Sequence, residues 1–197
     1  MARAVIAVEV DPVFAGSLRD RWTNVDVVEA DATRIAFPSE PFRVVANVPF
    51  DRTTAILHWL LDDPRTPLTR ADLILAWAVA VRRGLPWPST VNDAVWGAFY
   101  DASVSRRLPP VAFEPPPSVP AGVVVFRRRA EALVPPALVA EYHRFVARGF
   151  RQGIPTGWMR EARTTLVERG ATGRDLDAHA WAALFLGDRR RPRRTRR

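Results

Sequence analysis

The chain has 197 residues, of which 48% are hydrophobic, so it is long enough to bury a substantial core. It contains no cysteine, which excludes disulfides, cysteine nucleophiles and cysteine-based zinc sites. The net charge of +8 rests on arginine, because lysine is absent, and it favours a polyanionic partner. Residues 73–81 form the longest apolar run, too short for a membrane span, and residues 1–10 lack a signal-peptide pattern. We therefore expect a cytoplasmic protein with no membrane contact.

Strand and helix patterns alternate as far as residue 130, which is typical of an α/β sheet. The predicted strands are residues 4–10, 25–31, 43–48 and 122–128. The predicted helices of this part are residues 11–22 and 53–61, and a long apolar run occupies residues 71–81. Segment 82–120 is rich in proline and aromatic residues, and we expect it to cover an active face of the sheet.

The strand pattern ends between residues 130 and 135. Three amphipathic helical patterns follow, at residues 136–150, 157–170 and 175–187. The sequence therefore predicts an α/β domain over residues 1–130, a small helical domain over 131–188 and a basic disordered tail over 189–197. The tail holds seven arginines, which predict contact with nucleic-acid phosphate, although a solubilising tail has the same pattern.

Three polar side chains stand at the ends of successive predicted strands, namely Glu9, Asp31 and Asn47. In a doubly wound sheet, ligands bind at the carboxyl ends of the strands, and an acid there commonly accepts hydrogen bonds from ribose hydroxyls. The Asp31 carboxylate would similarly accept a hydrogen from an exocyclic adenine amine. Each residue alone also fits a helix cap or a solvated turn. Together they favour a site for a nucleoside.

The stretch "VVANVPFDRTTAIL", residues 44–57, places an amide, a proline and an aromatic ring between a buried strand and a helix. Pro49 has no N–H and fixes its own φ, so the turn is rigid and the Val48 carbonyl is held in one direction. The alternative is a plain strand-ending turn, with Asn47 as a helix cap and Phe50 in the core.

Five blocks occur in order: "VIAVEVDP", "EADAT", "VVANVPFDRTTAILHWLL", "FEPPPSVPAGVVVFRRR" and "YHRFVARGF". Together they resemble the Erm family of ribosomal RNA adenine N6-methyltransferases, over residues 4–150. The resemblance implies a Rossmann-like class I methyltransferase sheet with a small C-terminal α-helical domain. It also implies S-adenosylmethionine as cofactor, 23S ribosomal RNA as partner, and resistance to macrolides, lincosamides and streptogramin B. A KsgA-type dimethyltransferase of the small subunit is the nearest rival.

The resemblance assigns catalytic roles to four consecutive residues. The Asn47 side-chain carbonyl and the Val48 backbone carbonyl would each accept one hydrogen of adenine N6. Pro49 would hold the turn, and Phe50 would stack on the flipped base. Catalysis would then consist mostly of positioning.

The same resemblance implies cofactor and RNA contacts. The expected cofactor-binding residues are Glu9, Asp31, Ala32 and Asn47. The expected RNA-binding residues are Arg82, Arg83, Arg189, Arg190 and Arg191, and for Arg82 and Arg83 a plain solvent-facing role is equally open. No metal is expected, because His58, His143 and His179 lack metal-ligand spacing. We expect a monomer.

The sequence departs from the family pattern at its beginning. Family members carry a first strand and a glycine-rich cofactor loop ahead of the strand at residues 4–10, and this sequence starts after both. We therefore expect the chain as given to bind the cofactor weakly or not at all. A mis-assigned start of the reading frame would explain this pattern, and the alternative function is that of an inactive RNA-binding remnant. Pro120 also stands where the family usually has aspartate.

Overall fold

The computed structural model describes residues 4–154 and 172–190. The strands of this part of the chain are β1 (Ile6–Glu9), β2 (Asp26–Glu29), β3 (Phe42–Asn47), β4 (Leu68–Ala76), β5 (Tyr100–Leu108) and β6 (Ala121–Arg128). The first two form a parallel two-stranded sheet, and the other four form a sheet of order β3-β4-β6-β5. Strands β3 and β4 run parallel, whereas β6 is antiparallel to both of its neighbours.

Helices connect and cover these strands. They are α1 (Pro12–Arg21), α2 (Thr53–Leu61), α3 (Trp77–Arg83), α4 (Val91–Gly97), α5 (Val139–Gln152) and α6 (Ala178–Arg189). Side-chain caps determine the first residue of several of these helices. The Asp11 carboxylate accepts the Val13 N–H at 2.8 Å, and Thr90 and Asp93 form a capping box at the start of α4.

Two of the predicted strand ends meet in space. Asp31 lies just after β2, Arg52 lies just after β3, and their side chains form an ion pair at 2.9 Å. Helix α2 also packs on the short 3-10 turn Ala32–Arg34. The carboxyl ends of β2 and β3 therefore adjoin, although the strands belong to different sheets.

One continuous cluster of buried side chains joins the four-stranded sheet to helices α2, α4, α5 and α6. Tyr142 of α5 is fully buried, and its hydroxyl donates to the Ala94 carbonyl at 3.4 Å. This burial raises the pKa of Tyr142. Trp181 of α6 is also fully buried, and its indole N–H donates to the Gly173 carbonyl at 3.0 Å. The C-terminal helices thus complete the main core, and the division at residue 130 stays a prediction.

The predicted strands and helices before residue 62 are confirmed, as are the strand at 122–128 and the helical patterns at 136–150 and 175–187. The apolar run at 71–81 is the end of β4 followed directly by α3. Segment 82–120 contains α4 and the edge strand β5, neither of which was predicted, and its role in covering an active face stays a prediction. Strand β5 was missed because its later residues are polar and a bulge interrupts its alternation.

Two predictions lie outside the described residues. They are the helix at 157–170 and the tail from Arg191 onward. Of the helices that are described, none is long and apolar enough to cross a membrane.

Candidate active site

The loop that follows β3 is held by backbone hydrogen bonds. Asn47 ends the strand in register with Ile74, and the Val48 N–H donates to the Ile74 carbonyl at 3.1 Å. The Val48 side chain is buried, and Pro49 follows with φ −53° and ψ 130°. The Arg52 N–H then donates to the Pro49 carbonyl at 2.9 Å. The loop therefore has a defined shape before any ligand is considered.

Two side chains of this loop face outward. Asn47 is exposed, and its amide forms no hydrogen bond with any described residue. Helix α2 begins without a side-chain cap, so the alternative of Asn47 as a helix cap was wrong. The Phe50 ring is 36% exposed rather than part of the core. The loop thus carries an exposed amide without a partner among the described residues and, three residues later, an accessible aromatic ring.

Asp31 is more heavily engaged than Asn47. Its Oδ1 accepts both the N–H and the hydroxyl of Thr33, at 2.9 and 2.7 Å, and its Oδ2 accepts the Arg52 guanidinium at 2.9 Å. These bonds to Thr33, with the charge of Arg52 and Arg34, lower the pKa of Asp31. Asp31 is therefore an ionised cap of the 3-10 turn that begins with Ala32.

Glu9 lies beside Asp31 at the carboxyl end of β1. Glu9 is in register with Glu29 of β2, and Asp31 follows Glu29 by two residues. Its Oε1 accepts the Asp11 N–H at 2.9 Å, which leaves Oε2 available to a ligand hydroxyl. The structure therefore brings Glu9, Asp31 and Ala32 to one edge, and Arg52 links that edge to the Asn47 loop.

Sequence reasoning missed Arg52 as a site residue. The only available signal was its position five residues after Asn47 in the chain. Its partner, Asp31, is 21 residues away, and no local pattern predicts an ion pair over that separation. The Arg52–Asp31 ion pair thus connects the loop that follows Asn47 to the carboxyl end of β2.

The five predicted RNA-binding arginines differ in their surroundings. Arg82 is exposed, and its Nε donates to the Ala78 carbonyl at 3.2 Å. Arg83 is only 17% exposed and forms an ion pair with Asp93. Arg189 forms an ion pair with Glu141, Arg190 is exposed just after α6, and Arg191 lies beyond the described residues. Their contact with RNA stays a prediction.

Comparison with known proteins gives matches over most of the chain. Residues 1–153 match the family described as ribosomal RNA adenine dimethylase. An rRNA adenine N-6-methyltransferase of Corynebacterium diphtheriae is 36% identical over 156 residues, covering 76% of this chain and 61% of that protein. The mycinamicin-resistance protein MyrB of Micromonospora griseorubida is 31% identical, covering 92% of this chain and 62% of that protein. The chain spans about six-tenths of the length of these curated relatives.

A solved structure has the same fold. The crystal structure of the 23S rRNA methyltransferase ErmE is similar with a TM-score of 0.77 and 24% identity, over 94% of this chain and 82% of that chain. The predicted Rossmann-like methyltransferase fold is thereby confirmed.

Proposed function

Because the chain belongs to the ribosomal RNA adenine dimethylase family, we propose that it methylates N6 of an adenine in ribosomal RNA, with S-adenosylmethionine as the methyl donor. The observation that carries this proposal is the loop after β3. There the exposed Asn47 amide, which has no hydrogen-bond partner in the described chain, stands three residues before the accessible Phe50 ring. An adenine needs both features, since its edge must be bonded and its face stacked.

The loop residues would handle the target base. The lone pair of adenine N6 is delocalised into the ring, so N6 is a weak nucleophile until it becomes more tetrahedral. The Asn47 side-chain carbonyl and the Val48 backbone carbonyl would each accept one N6 hydrogen and favour that geometry. The Val48 N–H bond to Ile74, at 3.1 Å, holds the second acceptor in place. Phe50 would stack on the base, a contact worth about 1–3 kcal/mol.

The residues at the ends of β1 and β2 fit the nucleoside half of S-adenosylmethionine. Glu9 keeps one carboxylate oxygen free for ribose hydroxyls, because only Oε1 is bonded to Asp11. Asp31 is ionised and can share Oδ2 between Arg52 and the exocyclic amine of the cofactor adenine. When bound, this cofactor supplies an electrophilic methyl group on a sulfonium.

We further propose 23S ribosomal RNA as the substrate and macrolide resistance as the consequence. The support is the set of five sequence blocks together with the names of two relatives. MyrB is a mycinamicin-resistance protein, and ErmE is a 23S rRNA methyltransferase.

Methyl transfer by the full chain tests the proposal. Protein-free 23S and 16S ribosomal RNA would be incubated with labelled S-adenosylmethionine, and methylated nucleosides identified by mass spectrometry and mapped by primer extension. Because the sequence predicts weak cofactor binding, the S-adenosylmethionine concentration would be raised until the rate no longer increases, and we then expect N6-methylated adenine in 23S RNA. Asn47→Ala should lower the rate about 100-fold, the usual scale for losing one positioned polar contact to the reacting group, with RNA affinity kept.

Asn24→Ala is the matched control. Asn24 is exposed in the turn before β2, away from the carboxyl ends of the strands, so its loss should leave methyl transfer unchanged. No transfer by the wild-type chain would overturn the proposed activity. Methylation confined to 16S RNA would overturn the choice of substrate, and full activity in Asn47→Ala would overturn the role of the loop.

A further inference from the structure

Two arginines lie near the carboxyl end of the edge strand β5. The bulge between Val104 and Arg106 shifts the register, so that Arg107, rather than Arg106, stands opposite Gly122. Arg107 therefore shares a face with helix α3. Its guanidinium carbon lies 5.1 Å from the centre of the Trp77 ring.

Trp77 is a fixed platform for that guanidinium. The backbone N–H of Trp77 donates to the Pro120 carbonyl at 2.9 Å. Its ring lies so close to Gly122 that a Cβ at this position would come within 2.9 Å of the ring carbon Cε3. Trp77 is thus held at the first residue of α3, tightly against β6.

The charge of Arg107 is not neutralised by the surrounding protein. Within residues 4–154 and 172–190, neither Arg107 nor Arg106 has a carboxylate partner, and both side chains are exposed. By contrast, Arg83 of α3 pairs with Asp93, and Arg129, which follows β6, pairs with Asp101. A guanidinium that lies over an indole ring keeps its in-plane N–H groups free for an anion that accepts two parallel hydrogen bonds.

Arg107 lies at the same end of the sheet as the candidate base site. Asn47 is in register with Ile74 of β4, Ile74 with Val123 of β6, and Val123 with Arg106, the residue before Arg107. Strands β3 and β5 are three strand spacings apart, which is about 14 Å. An RNA strand whose base is held at Asn47 can therefore pass its backbone over Arg107.

We propose that Arg107, held on Trp77, binds a phosphate of the RNA that flanks the target adenine, with Arg106 adding charge. This inference rests on the proposed function, because it takes RNA as the substrate. Phosphate is the matching anion, since contacts with phosphate position an RNA without reading its sequence. The opposing interpretation is that the arginine stem merely covers the Trp77 ring.

RNA affinity across a salt series tests the proposal with the full chain and a 23S ribosomal RNA transcript. Arg107→Ala should weaken binding about tenfold, since a charge-assisted contact contributes about 1.5 kcal/mol. It should also flatten the slope of log affinity against log salt by about 0.7, the loss of one single-strand phosphate contact. Arg107→Lys should keep the slope and lose only part of the affinity, because it retains charge but not the planar fork.

Arg65→Ala is the matched control. Arg65 is 74% exposed before the start of β4, at the opposite end of the sheet. Its loss removes the same positive charge, but from a guanidinium that pairs with Asp63, so it reports the effect of net charge away from the proposed phosphate contact. If Arg107→Ala and Arg65→Ala have the same RNA affinity and the same salt slope, the proposed phosphate contact is wrong, but the proposed RNA substrate is not affected. If the wild-type chain binds no RNA, the proposed substrate fails as well.

Discussion

Two polar residues at neighbouring strand ends have very different surroundings. Asp31 accepts three hydrogen bonds, from the Thr33 N–H, the Thr33 hydroxyl and Arg52. The Asn47 side-chain amide forms no hydrogen bond with the described chain. A satisfied carboxylate stabilises local structure, whereas an exposed amide held on a rigid turn is available to a ligand. This contrast assigns Asp31 a structural role in addition to any cofactor contact.

The pKa of Asp31 is a measurable consequence. Thr33→Val removes the largest cause of its lowered pKa, so the pKa should rise toward the ordinary value of 3.8. A lowered folded-state pKa stabilises the protein above the unfolded pKa, and that contribution is lost as pH falls through the folded value. In Thr33→Val that contribution should be smaller, and its loss should be complete at a higher pH. Carboxyl NMR titration measures it, with Thr23→Val as control, and an unchanged Asp31 pKa in Thr33→Val would contradict the assignment.

Helices α5 and α6 are joined by aromatic packing around a glycine. The rings of Phe150 and Trp181 stack with centroids 5.7 Å apart and an interplanar angle of 12°. A Cβ on Gly149 would overlap the Trp181 ring. The absence of a side chain at Gly149 therefore permits the close approach on which this helix pair depends.

Gly149→Ala should destabilise the protein. Overpacking against the buried Trp181 is expected to lower the free energy of unfolding by about 1–3 kcal/mol. Gly187→Ala in α6 is the control, because no atom lies within 4 Å of its Cβ position, and alanine there should stabilise by up to about 1 kcal/mol. Urea denaturation of both variants gives the comparison. Equal effects would mean that the Trp181 contact does not limit the packing.

Within the described part of the chain, both sheets end in edge strands. The main core joins the four-stranded sheet to its helices, whereas β1 and β2 pair with each other and with no other strand of the described residues. Strand β3 is an edge strand of the four-stranded sheet, and Val45 on this strand is 84% exposed. An apolar edge strand with free backbone groups is a template for pairing with another chain.

Val45→Lys should therefore reduce self-association. A lysine on an edge strand opposes edge-to-edge pairing, and the exposed site makes a loss of stability small. Light scattering over a concentration series measures the effect. Val111→Lys is the matched control, since Val111 is 86% exposed but lies in a 3-10 turn rather than on a strand. Equal reductions in the two variants would attribute the change to net charge and not to the β3 edge.

Much of the architecture could be predicted from local patterns. Apolar spacing located β3 and α2, because residues within one strand or helix repeat every two or about 3.6 positions. The sequence also identified the Asn47 to Phe50 loop, since proline after a buried strand restricts the backbone whatever surrounds it. Strand β5 was not predicted, because a bulge and polar residues disturb the alternation of apolar and polar side chains along it.

Contacts between distant residues required the tertiary structure. The Asp31–Arg52 ion pair spans 21 residues, and the Arg107–Trp77 stack depends on a shifted register and on a helix that packs over Gly122. Likewise, the ion pair with Asp93 distinguishes Arg83 from its exposed neighbour Arg82, although the two are adjacent arginines in the chain. Periodicity shows which residues share a face of one element, but the partner of a side chain depends on how the elements pack together.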